Sequence, residues 1–187
     1  MSSVGNVFFF AFFDICRLVK GPQDIPESKN LLTLCLTIYG LSSTGLAMFI
    51  ETPANAIIAG LMDIALLMLF TQALLQIYSK SLRWTQTVTA ISDTGIIISI
   101  FALPLYFVID FSVANEINSA SQQGLGLLFL AALACWNIVI VAHIFRHALE
   151  INFVMAMVLA ISYIGLVYSF TTVILSSEIF ATTTELL

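Results

Sequence analysis

The amino-acid sequence predicts an all-α integral membrane protein, with five transmembrane helices preceded by an N-terminal amphipathic interfacial helix. Three observations carry this. The 187 residues are 60% hydrophobic and only 9% charged, against about 45–50% and about 25% in soluble domains, and the mean hydropathy is +1.04. The apolar residues form continuous runs instead of alternating, which favours helices over barrel strands. Finally, all six Lys and Arg residues fall on one side of the topology those runs imply. So few charges cannot coat a water-soluble fold, so a single soluble domain and a disordered chain are excluded. Six bases also offer no face to neutralise phosphates, which excludes a nucleic-acid partner.

Taken in order, residues 1–20 hold the stretch VGNVFFFAFFDICRLV with five phenylalanines. Its uninterrupted apolar run, 7–13, is too short to span. It has neither the basic start nor the small-residue cleavage site of a signal peptide. As a helix it places Phe8, Phe12, Ile15 and Val19 on one face and Asn6, Asp14 and Arg17 on the other, the pattern of a helix lying in the interface. The alternative is a further packing helix within the bundle. Residues 21–30 read as an elbow, because Gly21, Pro22 and Pro26 stop a helix. Asp24 and Glu27 have capping-box spacing for the helix that follows.

The bundle occupies residues 31–175, with spans at 31–50, 54–78, 87–109, 124–145 and 152–175, and a short outer tail at 176–187. Each run is near the 20 or so apolar residues a bilayer requires. The polar stretch DFSVANEINSASQQG between spans three and four reads as the one substantial loop. Arg17, Lys20 and Lys29 precede span one, Lys80 and Arg83 lie between spans two and three, and Arg146 follows span four. The positive-inside rule makes that side cytoplasmic, with the N-terminus inside and the C-terminus outside. It carries six bases against Asp14, Asp24, Glu27 and Glu150, a net of +2. The other side has Glu51, Asp110, Glu116, Glu178 and Glu185 and no base.

The stretch RLVKGPQDIP at 17–26, the five-span plan and IFRHAL at 144–149 resemble small bacterial inner-membrane proteins grouped with the Yip1-like families. The resemblance implies a bacterial inner-membrane location, a cytoplasmic amino end and a role exercised through partners. It supplies no catalytic residue.

Two carboxylates remain inside spans. Asp63 lies roughly 13 Å from the outer end of span two, and Asp93 roughly 9 Å from the inner end of span three; they are not expected to pair. A helical ladder sets Asp93 level with Gln72 and near His143, with Gln76 on the Gln72 face. One reading is a polar, cytoplasm-facing cavity in which Asp93 exchanges a proton. The other is hydrogen bonding that merely joins helices, at about 0.6 kcal/mol per pair. The second is favoured, since a transporter would ordinarily show broken helices or an internal repeat, and Pro104 is the only proline within a span.

His143, His147 and Glu150 share a face if the helix continues past Arg146, a spacing able to hold zinc, but no fourth ligand is in sight. No metal or other cofactor is expected. Cys16, Cys35 and Cys135 form no disulfide framework, and no enzyme motif occurs. Small pairs at Ala56/Gly60, Gly95/Ser99, Ala156/Ala160 and Gly165/Ser169 predict close helix packing, with Gly165→Leu destabilising. The leading functional expectation is a non-enzymatic membrane organiser or complex subunit. It would act through the bilayer and through another membrane protein or a second copy, using Phe8, Phe12, Arg17, Pro22, Asp24 and Pro26. The alternative is a small transporter or proton-linked permease using Asp93, Asp63 and His143.

Overall fold

A computed structural model describes the backbone of residues 14–114 and 119–184. Phe8, Phe12 and the rest of the predicted interfacial helix up to residue 13 lie outside the described residues. Among the described residues five long helices follow one another: α1 (Lys29–Ala47), α2 (Pro53–Ile77), α3 (Trp84–Ala114), α4 (Ser119–Leu149) and α5 (Phe153–Thr184). All five are long and apolar enough to cross a membrane. The described residues form an all-helical, multi-pass architecture.

Helix ends follow local chemistry. Ser28 caps α1 by accepting from the Leu31 amide at 3.4 Å. The Asp24–Glu27 capping box expected there does not form: Asp24 Oδ2 instead accepts from the Gly21 amide at 3.0 Å, bracing the 3-10 turn Pro22–Asp24. Thr52 caps α2, with Pro53 in the first turn, where its missing N–H costs nothing. Before α3 comes a short 3-10 turn, Ser81–Arg83.

Two expectations need correction. The polar stretch at 110–124 is mostly helical, with α3 running to Ala114 and α4 starting at Ser119. Residues 111–114 and 119–123 contain neither glycine nor proline, so each flanking helix extends into the stretch turn by turn at little cost. At the amino end, residues 14–16 are helical but Leu18 turns left-handed, at φ 61°. Val19 therefore leaves the apolar face assigned to it and is 68% exposed, while Ile15 is fully buried.

α3 lies at the centre and packs on α1, α2 and α4. Its buried Thr87, Thr89, Ser92 and Thr94 donate to carbonyls one turn back, at 2.7–2.9 Å. Hydroxyls satisfied in this way sit in an apolar interior without needing partners from other helices. Small residues let α1 and α2 approach: a Cβ on Gly60 would strike Thr44 Oγ1 and lie 3.2 Å from the Gly40 carbonyl. Ala56, Ala156 and Ala160 are fully buried as well. Gly165 is the exception, because a side chain there would enter open space, and Ser169 is likewise exposed. The Gly165/Ser169 pair is therefore not an internal contact.

The buried core is lopsided. Leu67, Leu75, Val88, Ile140, Ile144 and Phe145 all belong to the half of the bundle nearest the elbow, and Ile15 and Ile25 join them. The elbow is thus part of the core. Gln86 Nε2 donates to the Ile25 carbonyl at 2.8 Å, and His143 Nε2 to the Lys20 carbonyl at 3.0 Å. Pro22, one of the residues assigned to a free interaction surface, is buried, while Arg17, Asp24 and Pro26 are exposed.

Candidate functional site

Asp63 marks the other half. It lies ten residues into α2, so about 15 Å along the axis from that helix's start. Tyr39 and Tyr163 stand equally far into α1 and α5, and side-chain contacts bring all three together near the middle of the bundle. The Tyr39 hydroxyl donates to Asp63 Oδ2 at 2.7 Å, and the Ser43 hydroxyl donates to the same oxygen at 2.8 Å. The Tyr163 phenol adjoins Tyr39. Two donors on one oxygen leave Oδ1 available to an occupant.

There is room for one. A cavity of about 210 Å³ is lined by Tyr39, Ser43, Asp63, Asn137 and Tyr163 together with apolar residues. A second, of about 350 Å³, shares Tyr39, Asp63, Asn137 and Tyr163 and continues along α5 to Tyr168 and Thr171. Along α1 the lining runs from Tyr39 to Leu46, and along α3 from Ile91 to Ser99. Each of these helices starts at the elbow end, so the cavity extends from mid-membrane toward the opposite end. Gly95 shapes it, because a Cβ there would lie 2.5 Å from Cε2 of the Tyr39 ring.

The other expected site residues lie elsewhere. Asp93, Gln72, Gln76 and His143 are not in the lining of either cavity. Asp93 Oδ2 is buried without a hydrogen-bond partner, and the groups it acts on electrostatically are Cys16 and Cys35. Gln76 is exposed and Gln72 half-buried. His143 is committed to the elbow; since a carbonyl can only accept, its Nε2 carries the proton.

The three-residue face of His143, His147 and Glu150 also breaks. The two imidazole rings do meet, at a centroid distance of 4.5 Å. However, α4 ends at Leu149 and Glu150 is left-handed, at φ 58°. Its carboxylate turns to Lys80 and to Arg83, the latter at 2.6 Å. Arg83 also donates to the His147 and Ala148 carbonyls at 3.2 and 3.3 Å, tying the turn before α3 to the end of α4. Among the described residues no group of three His, Cys, Asp or Glu side chains is arranged to hold a metal. The Glu150 carboxyl is held below its ordinary range by hydrogen bonds from Lys80 and Arg83 and then by their charge.

Sequence reasoning found Asp63 but missed Tyr39, Ser43, Asn137 and Tyr163. The available signal was positional: Tyr39 and Tyr163 are mid-span, whereas membrane tyrosines favour the interfaces. No protein-family model, curated protein or solved structure matches this chain.

Proposed function

We propose that this chain is a small multi-pass permease whose solute site is the Asp63 cavity. The single observation that carries the reading is an ionisable side chain at mid-membrane beside open volume, with one carboxyl oxygen left free. Intramembrane carboxylates are costly, and those beside open volume mark solute and proton pathways. The lopsided packing supports it too. The elbow and the inner core close one end, while the cavity extends toward the other, as expected of a carrier in one of its two access states. The elbow end carries all six bases and is assigned to the cytoplasm of a bacterial inner membrane. The role is non-enzymatic.

The test is iso-osmotic swelling of proteoliposomes against small cationic, neutral and anionic solutes. Uptake of at least one solute above empty liposomes, lost in Asp63→Asn, is expected. Equal uptake by wild type, Asp63→Asn and empty liposomes for every solute overturns the reading.

A membrane organiser or complex subunit is the second reading, and one face favours it. Ser162, Gly165, Ser169 and Thr172 recur at helical spacing on α5 and are all exposed, a small-residue stripe of the kind that seats another helix. Self-association through that stripe, measured by cross-linking in membranes and lost in Gly165→Leu, would support it.

A further inference from the structure

The chemistry of the Asp63 cavity narrows what it can hold. Its lining includes one carboxylate, Asp63, and no lysine, arginine or histidine in either lobe. An anionic solute would meet uncompensated like charge in a medium of low dielectric. A neutral solute gains nothing from an ionised carboxylate, whose burial without a counter-charge is expensive. A cation is the solute class that an ionised Asp63 carboxylate holds, because its charge compensates that burial. The remaining wall discriminates among cations. The phenol rings of Tyr39 and Tyr163 line the cavity, and aromatic rings attract cations, while Ile91, Ile98 and Val141 supply apolar surface. Hard inorganic cations require several oxygens free to replace their water, whereas the Tyr39 and Ser43 hydroxyls of this lining are already turned to Asp63 Oδ2. Lobes of about 210 and 350 Å³ also exceed what one bare ion would fill.

We propose that the Asp63 cavity binds a small organic ammonium ion, its charge against the free oxygen of Asp63 and its carbon substituents against the tyrosine rings, Ile98 and Val141. Asn137, the one side-chain amide in the lining, adds a carbonyl oxygen able to accept from an N–H of a primary or secondary ammonium. This rests on the reading of the cavity as the solute site.

The experiment is thermal unfolding of the full chain in detergent with tetramethylammonium chloride, sodium chloride at equal ionic strength, tert-butanol and sodium acetate. Tetramethylammonium is expected to raise the melting temperature above the sodium control, by a shift growing with the logarithm of its concentration. The shift is expected to vanish in Asp63→Asn. Ile98→Trp, which fills the cavity and keeps the carboxyl, is expected to lose it as well, and serves if Asp63→Asn does not fold.

A shift with tert-butanol or acetate but not with tetramethylammonium overturns the ammonium assignment. So does a tetramethylammonium shift no larger than that of sodium, or one that survives in both variants. None of these results removes the permease reading, which falls only if wild type, Asp63→Asn and empty liposomes take up every solute equally.

Discussion

The Tyr39 hydroxyl donates to Asp63 Oδ2 at 2.7 Å, joining α1 to α2 at the middle of the bundle. The tyrosine ring occupies the space that a side chain at Gly95 of α3 would take, so three helices depend on one contact. Tyr39→Phe removes this bond but leaves that of Ser43, and is expected to cost about 1 kcal/mol. Gly95→Ala forces the ring aside and is expected to cost about 1–3 kcal/mol, as overpacking usually does. Melting in detergent measures both. A Gly95→Ala protein as stable as wild type would mean that the ring is not fixed by α3.

The small residues separate cleanly by position. Gly60→Leu drives a side chain into Thr44 and the Gly40 backbone and is expected to lower the melting temperature sharply, whereas Gly165→Leu meets open space and leaves it unchanged. Comparing the two melting curves tests whether α1 and α2 are in the contact described.

Cys16 reports on the docked elbow. Burial, and then the nearby Asp93 carboxyl, push its thiol up to about 12, so thiolate is scarce at neutral pH and alkylation is slow. Gln86→Ala combined with His143→Ala removes the two hydrogen bonds that hold the Ile25 and Lys20 carbonyls. At about 1 kcal/mol each, their loss is expected to speed maleimide labelling of Cys16 at least about tenfold. An unchanged rate would mean that apolar packing of Ile15 and Ile25 alone retains the elbow.

Glu150 gives a pH dependence of defined sign. Its folded carboxyl titrates below the ordinary value of 4.5 because Lys80 and Arg83 donate to it. Its contribution to stability is therefore complete above about 4.5, and is lost as the pH falls through the lower folded value. Glu150→Gln is expected to flatten this acid limb of melting temperature against pH. A limb of equal steepness in the variant would place its origin in other carboxylates.

Topology is tested by reporters. An alkaline phosphatase fusion after Leu187 is expected to be active, as befits export of that end, and a fluorescent reporter requiring the cytoplasm is expected to stay dark there. The reverse pattern would invert the membrane orientation assigned from the bases.

The sequence by itself determined the solvent and the outline of this protein. Transfer of apolar side chains into lipid is additive along the chain, so runs of about 20 residues reveal helices long enough to span. Bases placed at helix ends are equally legible, and so was the cost of Asp63. Local end effects were less so. The cap belongs to Ser28 and not to Asp24, and a left-handed Glu150 leaves the histidine face for Lys80 and Arg83.

Only the tertiary structure decided which polar residues meet. Tyr39, Ser43, Asp63, Asn137 and Tyr163 lie on four helices, and their convergence depends on rotations about helix axes set by packing at Gly60 and Gly95. Burial of Ile15 and Ile25, and the exposure of Gly165, were decided in the same way. Hydropathy says that a residue lies in the membrane; which face it turns to a neighbour is a property of close packing among all five helices.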